Sequence, residues 1–185
     1  MPRAALRATV GPPAGPVSRR LDFRPIGLWD IPEIVALHRE PRITAMLVDD
    51  IPDDIVKAHL VVAWNAPFAA AGFGTFAVRR RGEPALIGLF SLTPYKNDVA
   101  LLELGGKLTP SAWGGRIAIE AGAAMIDHAF DALGRDRLVS AIDPAQRSAA
   151  AALRRLGFTE DGEDRLLDRP VIRFSLIRSA FRPYR

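Results

Sequence analysis

Glu103-Leu104-Gly105-Gly106-Lys107-Leu108-Thr109-Pro110-Ser111-Ala112-Trp113-Gly114-Gly115-Arg116-Ile117-Ala118-Ile119-Glu120-Ala121 is the stretch on which the fold turns. Val99 to Leu108 reads as an apolar strand interrupted by one acid and two glycines, which in a strand interior signal a bulge or a close backbone approach. Thr109 and Pro110 end it. From Trp113 to Leu133 an alanine-rich segment places Ile117, Glu120, Ala121, Ala124, Met125, His128 and Phe130 at helical spacing, with Gly134 as its stop. A strand, a short loop holding Gly114 and Gly115, and a helix beginning there form an anion-binding arrangement, because N–H groups of a first helical turn lack internal partners. Loop chemistry alone favours a plain connection over a ligand site.

On the N-terminal side, Leu21-Asp22-Phe23-Arg24-Pro25-Ile26 alternates like an opening edge strand. Asp30, Pro32 and Glu33 give the start signals of a helix with Ile34, Val35, Leu37 and His38. Pro52, Asp53 and Asp54 open a second, running through His59, Leu60 and Trp64 and ending at Asn65 and Pro67. Residues 75–78 and 85–92 flank a polar turn and predict a hairpin, onto which the Glu103 strand pairs. On the C-terminal side, a strand over 137–142, a turn at Asp143-Pro144, a helix from Arg147 to Leu156 stopped by Gly157, and two closing strands complete the order. One closing strand is expected near 158–161 or slightly later and the other near 171–177. The expected fold class is α/β: a mixed sheet covered by helices.

At 185 residues one core is the default, and no apolar run approaches the roughly 20 residues of a membrane helix. Cysteine is absent, which removes disulfides, thiolate metal sites and a cysteine nucleophile. The three histidines, His38, His59 and His128, lack metal-ligand spacing, so no metal is expected. The formal charge of +4 is concentrated in Arg3, Arg7, Arg19 and Arg20 of an acid-free opening, which leaves the remainder balanced. That distribution, with no interleaved aromatic pattern, argues against a nucleic-acid surface. Residues 1–20, broken by Gly11-Pro12-Pro13-Ala14-Gly15-Pro16, read as a disordered leader and 21–185 as the domain. Without a secretory apolar core, cytoplasmic residence is the simplest expectation.

The quoted stretch resembles the "E-[IL]-G-Y-x-L-x-P-x-x-W-G-K-G-Y-A-x-E-A" pattern of GNAT N-acetyltransferases related to the ribosomal-protein alanine acetyltransferases. A second stretch agrees: Asp143-Pro144-Ala145-Gln146-Arg147-Ser148-Ala149 leading to Arg155-Leu156-Gly157-Phe158 is similar to the family's "D-P-x-N-x-x-S" followed by "K-L-G-F". The resemblance covers nearly the whole chain after residue 20. It implies the acyl-CoA N-acyltransferase fold: a mostly antiparallel mixed sheet, about four helices, and a cofactor gap where the sheet splays after the Glu103 strand. It also implies acetyl-CoA as cosubstrate without metal, and an amine acceptor, either a protein N-terminus or a small molecule. A monomer and a homodimer both stand open.

Carried over by position, the backbone of Lys107, Leu108 and Thr109 would pair with the pantetheine arm. The N–H groups of Gly114, Gly115, Arg116, Ile117 and Ala118 would meet the pyrophosphate, and a backbone donor would polarise the thioester carbonyl. Glu103, an acid among leucines, is the candidate base, its burial raising its pKa. The chain also departs from the pattern. Arg116 replaces a loop glycine and either grips the pyrophosphate or obstructs it. Gln146 replaces asparagine as a cofactor-side amide, and Ala149 replaces serine. Leu153 stands where many relatives carry an acidic tyrosine, leaving solvent, Ser148 or the product amine as proton source. These departures keep a second reading open, a degenerate member that binds or regulates without catalysis.

Overall fold

The computed structural model describes residues 15–45, 47–48 and 51–183. Its strands are β1 (Leu21–Pro25), β2 (Gly74–Arg80), β3 (Leu86–Tyr95), β4 (Asp98–Leu108), β5 (Arg137–Ile142), β6 (Thr159–Leu166) and β7 (Arg169–Ile177). They form one sheet in the order β1-β2-β3-β4-β5-β7-β6, in which β4 and β5 are parallel and every other neighbouring pair is antiparallel. The mixed sheet of the expected fold class is therefore present. The last two strands exchange places in space, β7 lying against β5 and β6 forming the edge. Two-residue turns at Lys96-Asn97 and Leu167-Asp168, all four residues at positive φ, reverse the chain with the twist that hairpins favour.

The glycines of β4 mark a close approach and not a bulge. Pairing with β3 runs without a shift from Gly88↔Leu108 to Pro94↔Leu102. A Cβ on Gly106 would lie 2.6 Å from the Phe90 ring, and one on Gly105 would lie 2.6 Å from Ser91 Oγ. The β3 side chains occupy the space that β4 leaves open.

The helices are α1 (Ile31–His38), the single-turn α2 (Pro41–Thr44), α3 (Ile55–Ala70), α4 (Ile117–Asp127) and α5 (Arg147–Arg155). One buried core joins α4 and α5 to the sheet through Phe90, Leu104, Met125, Phe130, Leu153 and Phe174, among others. A second, smaller one joins α1 and α3 to the opposite face through Ile34, Leu37, Ala58, Val62, Ala77 and Leu89.

Several boundaries differ from the sequence reading for identifiable reasons. Asp30 stands at the N-cap of α1 but does not cap it. Its fully buried carboxylate takes Arg24 Nη2 at 2.7 Å, Arg79 Nη2 at 3.0 Å and the Gly27 N–H at 2.8 Å. α3 runs through Pro67. Asn65 is no helix stop, because its buried amide pairs with the backbone N–H and carbonyl of Thr75. The long helix begins four residues after Trp113, at Ile117, and its last turn, His128–Ala132, is π-helical. Within the segment expected as a leader, Pro16 is buried, and Ser18 and Arg20 are bonded to Glu120 of α4. Residues 1–14 lie outside the described residues.

Candidate active site at the split in the sheet

β4 and β5 pair at two positions, Leu102↔Leu138 and Glu103↔Val139. Above them β4 continues to Leu108 while β5 follows β7 up to Ile142↔Ile172. A wedge therefore opens between two strand edges, and edges carry backbone donors and acceptors. At its apex the Glu103 carboxylate accepts the Ala141 N–H at 3.1 Å, standing in for a ladder partner as the strands part. Glu103 is half-buried.

Strand alternation decides which backbone groups line the wedge. The Thr109 N–H donates to Ile87 O at 2.9 Å, so Thr109 is turned toward β3. Lys107, two residues earlier, shares that direction, whereas Leu104, Gly106 and Leu108 turn their backbone groups toward the opening. Of the three positions carried over for the pantetheine arm, Leu108 alone has its backbone on the open edge, and its carbonyl already accepts the Trp113 indole N–H at 2.9 Å. The Arg42 guanidinium of α2 lies 5.6 Å over the Trp113 ring. The Lys107 side chain runs to the other face of the sheet, where Nζ lies 3.1 Å from His38 Nε2. His38 Nδ1 faces the Ile34 carbonyl at 2.7 Å. A carbonyl accepts only, so Nδ1 carries the proton and Nε2 accepts from Lys107.

The loop at the mouth of the wedge has three successive left-handed residues, Gly114 (φ 81°), Gly115 (φ 53°) and Arg116 (φ 62°). Arg116 is the N-cap of α4, and its side chain makes no capping hydrogen bond. An arginine in this conformation costs roughly 1–2 kcal/mol that glycine avoids. The backbone thus keeps the path expected of a glycine although the residue has changed. The side chain of Ile117 is buried in the core, so it meets a ligand only through its backbone.

α5 begins across the wedge. Gln146, half-buried, is its N-cap, and Ser148 is exposed on its first turn. The structure draws Gln146 and Ser148 to the end of β5, whereas no described contact joins Ser148 to Glu103. Leu153 is 7% exposed within the core, so this helix position holds packing and no acid.

Side chains also tie the two arms of the split sheet together. Tyr95 and Lys96, at the turn between β3 and β4, reach Asp164 of β6 at 2.8 and 2.7 Å, and Asp164 also pairs with Arg173 of β7. Burial, together with the Asp164 hydrogen bond and the charges of Asp164 and Glu103, pushes the Tyr95 hydroxyl well above its ordinary value. Hydrogen bonds from Lys96, the Arg165 N–H and Tyr95 hold Asp164 well below the usual carboxylate range. Sequence reasoning missed this tie because the partners lie 68 and 69 residues apart. The remaining histidines are structural in their contacts. His128 is buried against the Gly72 carbonyl, and His59 is exposed with Nδ1 on the Ile55 carbonyl of its own helix.

The family profile described as "Acetyltransferase (GNAT) domain" matches residues 20–159. Among solved structures, an acetyltransferase from Agrobacterium tumefaciens str. C58 is 25% identical, with 96% of this chain and 100% of that one covered at a TM-score of 0.76. The Mycobacterium smegmatis RimJ structure in complex with CoA-disulfide is 18% identical, with 86% and 82% covered at 0.72. The ribosomal-protein-S5-alanine acetyltransferase of Vibrio fischeri is 20% identical, with 90% and 100% covered at 0.72. With the split sheet, the left-handed loop and a profile spanning most of the chain in agreement, the protein belongs to the GNAT family and is an acetyltransferase enzyme.

Proposed function

We propose that the chain transfers an acetyl group from acetyl-CoA to a primary amine, of a protein N-terminus or a small molecule, by direct attack of the amine. The observation that carries this reading is the wedge itself: a strand edge that β5 leaves after two residues, ending in a left-handed loop at the start of α4. These features fit the cosubstrate in two ways. Leu104 and Gly106 offer backbone groups to an amide-containing arm, and the first turn of α4 offers N–H groups and a positive dipole end to a pyrophosphate. Acetyl-CoA, when bound, supplies the activated acyl group. Glu103, at the apex, takes a proton from the acceptor's ammonium group to free the amine that attacks, while the Ala141 N–H holds its carboxylate in place. Ser148 on the first turn of α5 is the side-chain candidate for returning a proton to the leaving thiolate, since Leu153 offers none. Gln146 contributes its amide at the same helix start.

The similarity to the ribosomal-protein-S5-alanine acetyltransferase of Vibrio fischeri favours a protein over a small molecule as acceptor. A second reading, a member that binds without catalysing, is favoured by Arg116 in the glycine position and Leu153 in the core. Thermal unfolding with acetyl-CoA separates the two readings from a protein that binds nothing. Ligand at a hundredfold excess over Kd adds about 2.7 kcal/mol. An acceptor screen following release of free thiol then separates enzyme from binder. Binding without thiol release from any amine would leave the second reading standing.

A further inference from the structure

Glu120 is the acid in the first turn of α4, beside the loop assigned to the pyrophosphate. An unpaired carboxylate there would repel the anion that the helix start attracts. Its actual partners come from a hundred residues earlier in the chain. Ser18 Oγ donates to Glu120 Oε1 at 2.5 Å, the Arg20 N–H donates to the same oxygen at 2.8 Å, and Arg20 Nε donates to Oε2 at 2.5 Å. Ser18 Oγ in turn accepts the Leu21 N–H at 3.2 Å, which joins the arrangement to the start of β1. The same guanidinium reaches further: Arg20 Nη2 donates to the Gly115 carbonyl at 3.0 Å. One arginine therefore neutralises the acid and holds a peptide group of the left-handed loop.

That peptide group has a defined consequence. In a planar trans peptide the carbonyl of one residue and the N–H of the next point in opposite directions. Fixing the Gly115 carbonyl on Arg20 therefore aims the Arg116 N–H away from Arg20. We infer that Glu120 and Arg20 are positioning residues for the anion loop: the pair sets the direction of the Arg116 N–H and cancels the one acidic charge at the helix start, preparing the loop for a pyrophosphate group. This inference rests on the acetyl-CoA reading above and adds the device that shapes its loop.

The test uses the full chain and acetyl-CoA as probe, with binding measured by calorimetry and turnover by thiol release. Glu120→Gln removes a negative charge near the anion, so if charge alone mattered the affinity for acetyl-CoA would rise. The clamp predicts the opposite, a Kd and KM about tenfold higher with kcat changed less than about twofold, the pattern of lost binding without lost chemistry. Arg20→Lys keeps the charge but lacks the fork that spans Glu120 and Gly115, and it should weaken binding in the same direction. Unfolding without ligand checks that each variant is folded; if Glu120→Gln is not, Arg20→Lys carries the test. Wild-type protein that binds acetyl-CoA while the folded variants bind it equally well or more tightly would overturn the clamp and leave the acetyltransferase reading intact. Wild-type protein that does not bind acetyl-CoA would overturn the reading beneath it.

Discussion

The two sides of β4 are built on opposite rules. Toward β3 the strand is paired from Gly88↔Leu108 down to the hairpin turn, and its glycines admit Phe90 and Ser91 so closely that no side chain would fit. Toward β5 it is paired at two residues and then released. A sheet interior normally satisfies its backbone on both sides, because an unpaired buried group costs free energy. Here one side meets that demand with ladder bonds, and the other substitutes side chains: Glu103 for Ala141, and the Trp113 indole for Leu108. The closed side supplies rigidity and the open side supplies recognition, so substitutions on the two sides should separate stability from activity.

The largest effect is expected on the closed side. A Cβ at Gly88 would lie 2.4 Å from the Lys107 carbonyl, a backbone atom that cannot step aside. Gly88→Val should therefore lower stability by about 3 kcal/mol in urea unfolding. A midpoint shift under a third of that would show that β3 and β4 are less tightly joined than the register indicates. On the open side, Glu103→Gln keeps an oxygen for the Ala141 N–H but loses the base. Turnover should fall roughly tenfold or more while unfolding and acetyl-CoA affinity stay near wild type; unchanged turnover would reduce Glu103 to its structural bond.

A smaller effect belongs to the loop. Arg116→Gly relieves a left-handed arginine and should raise stability by about 1 kcal/mol, visible as a higher Tm. The accompanying change in acetyl-CoA affinity distinguishes the roles of the side chain, a fall meaning that the guanidinium grips and a rise meaning that it obstructs. The smallest effect concerns the tie across the split. Because the Asp164 carboxyl is held below its usual 3.8, the stabilisation it provides is present above that pH and is lost as pH falls through the lower folded value. Asp164→Asn should thus be somewhat less stable than wild type at pH 7, and the two curves should converge on acidification; parallel curves would show that the ion pairs contribute nothing.

Much of this site is legible in the chain itself, and the illegible part has a common cause. The strand, the loop and the helix around Glu103 to Ala121 are local, and their glycines, proline and alanine-rich periodicity encode them directly. By contrast, the glycines at 105 and 106 leave a bulge and a close approach equally open until Phe90 and Ser91 are seen beside them. Asp30 looks like a helix cap until Arg24 and Arg79 converge on it. Glu120 reads as an ordinary helix acid until Ser18 and Arg20 arrive from the other end of the domain.

The order of the strands and longer helices, and the mixed sheet they build, could be read from the chain alone, since these depend on periodicity and on residues within one or two turns of each other. Tertiary structure alone decided where β4 and β5 part, which backbone edges face the opening, and which distant side chains satisfy the groups left there. Those outcomes depend on the packing of two cores on opposite faces of one sheet, and on the requirement that each buried polar group find a partner wherever the chain brings one.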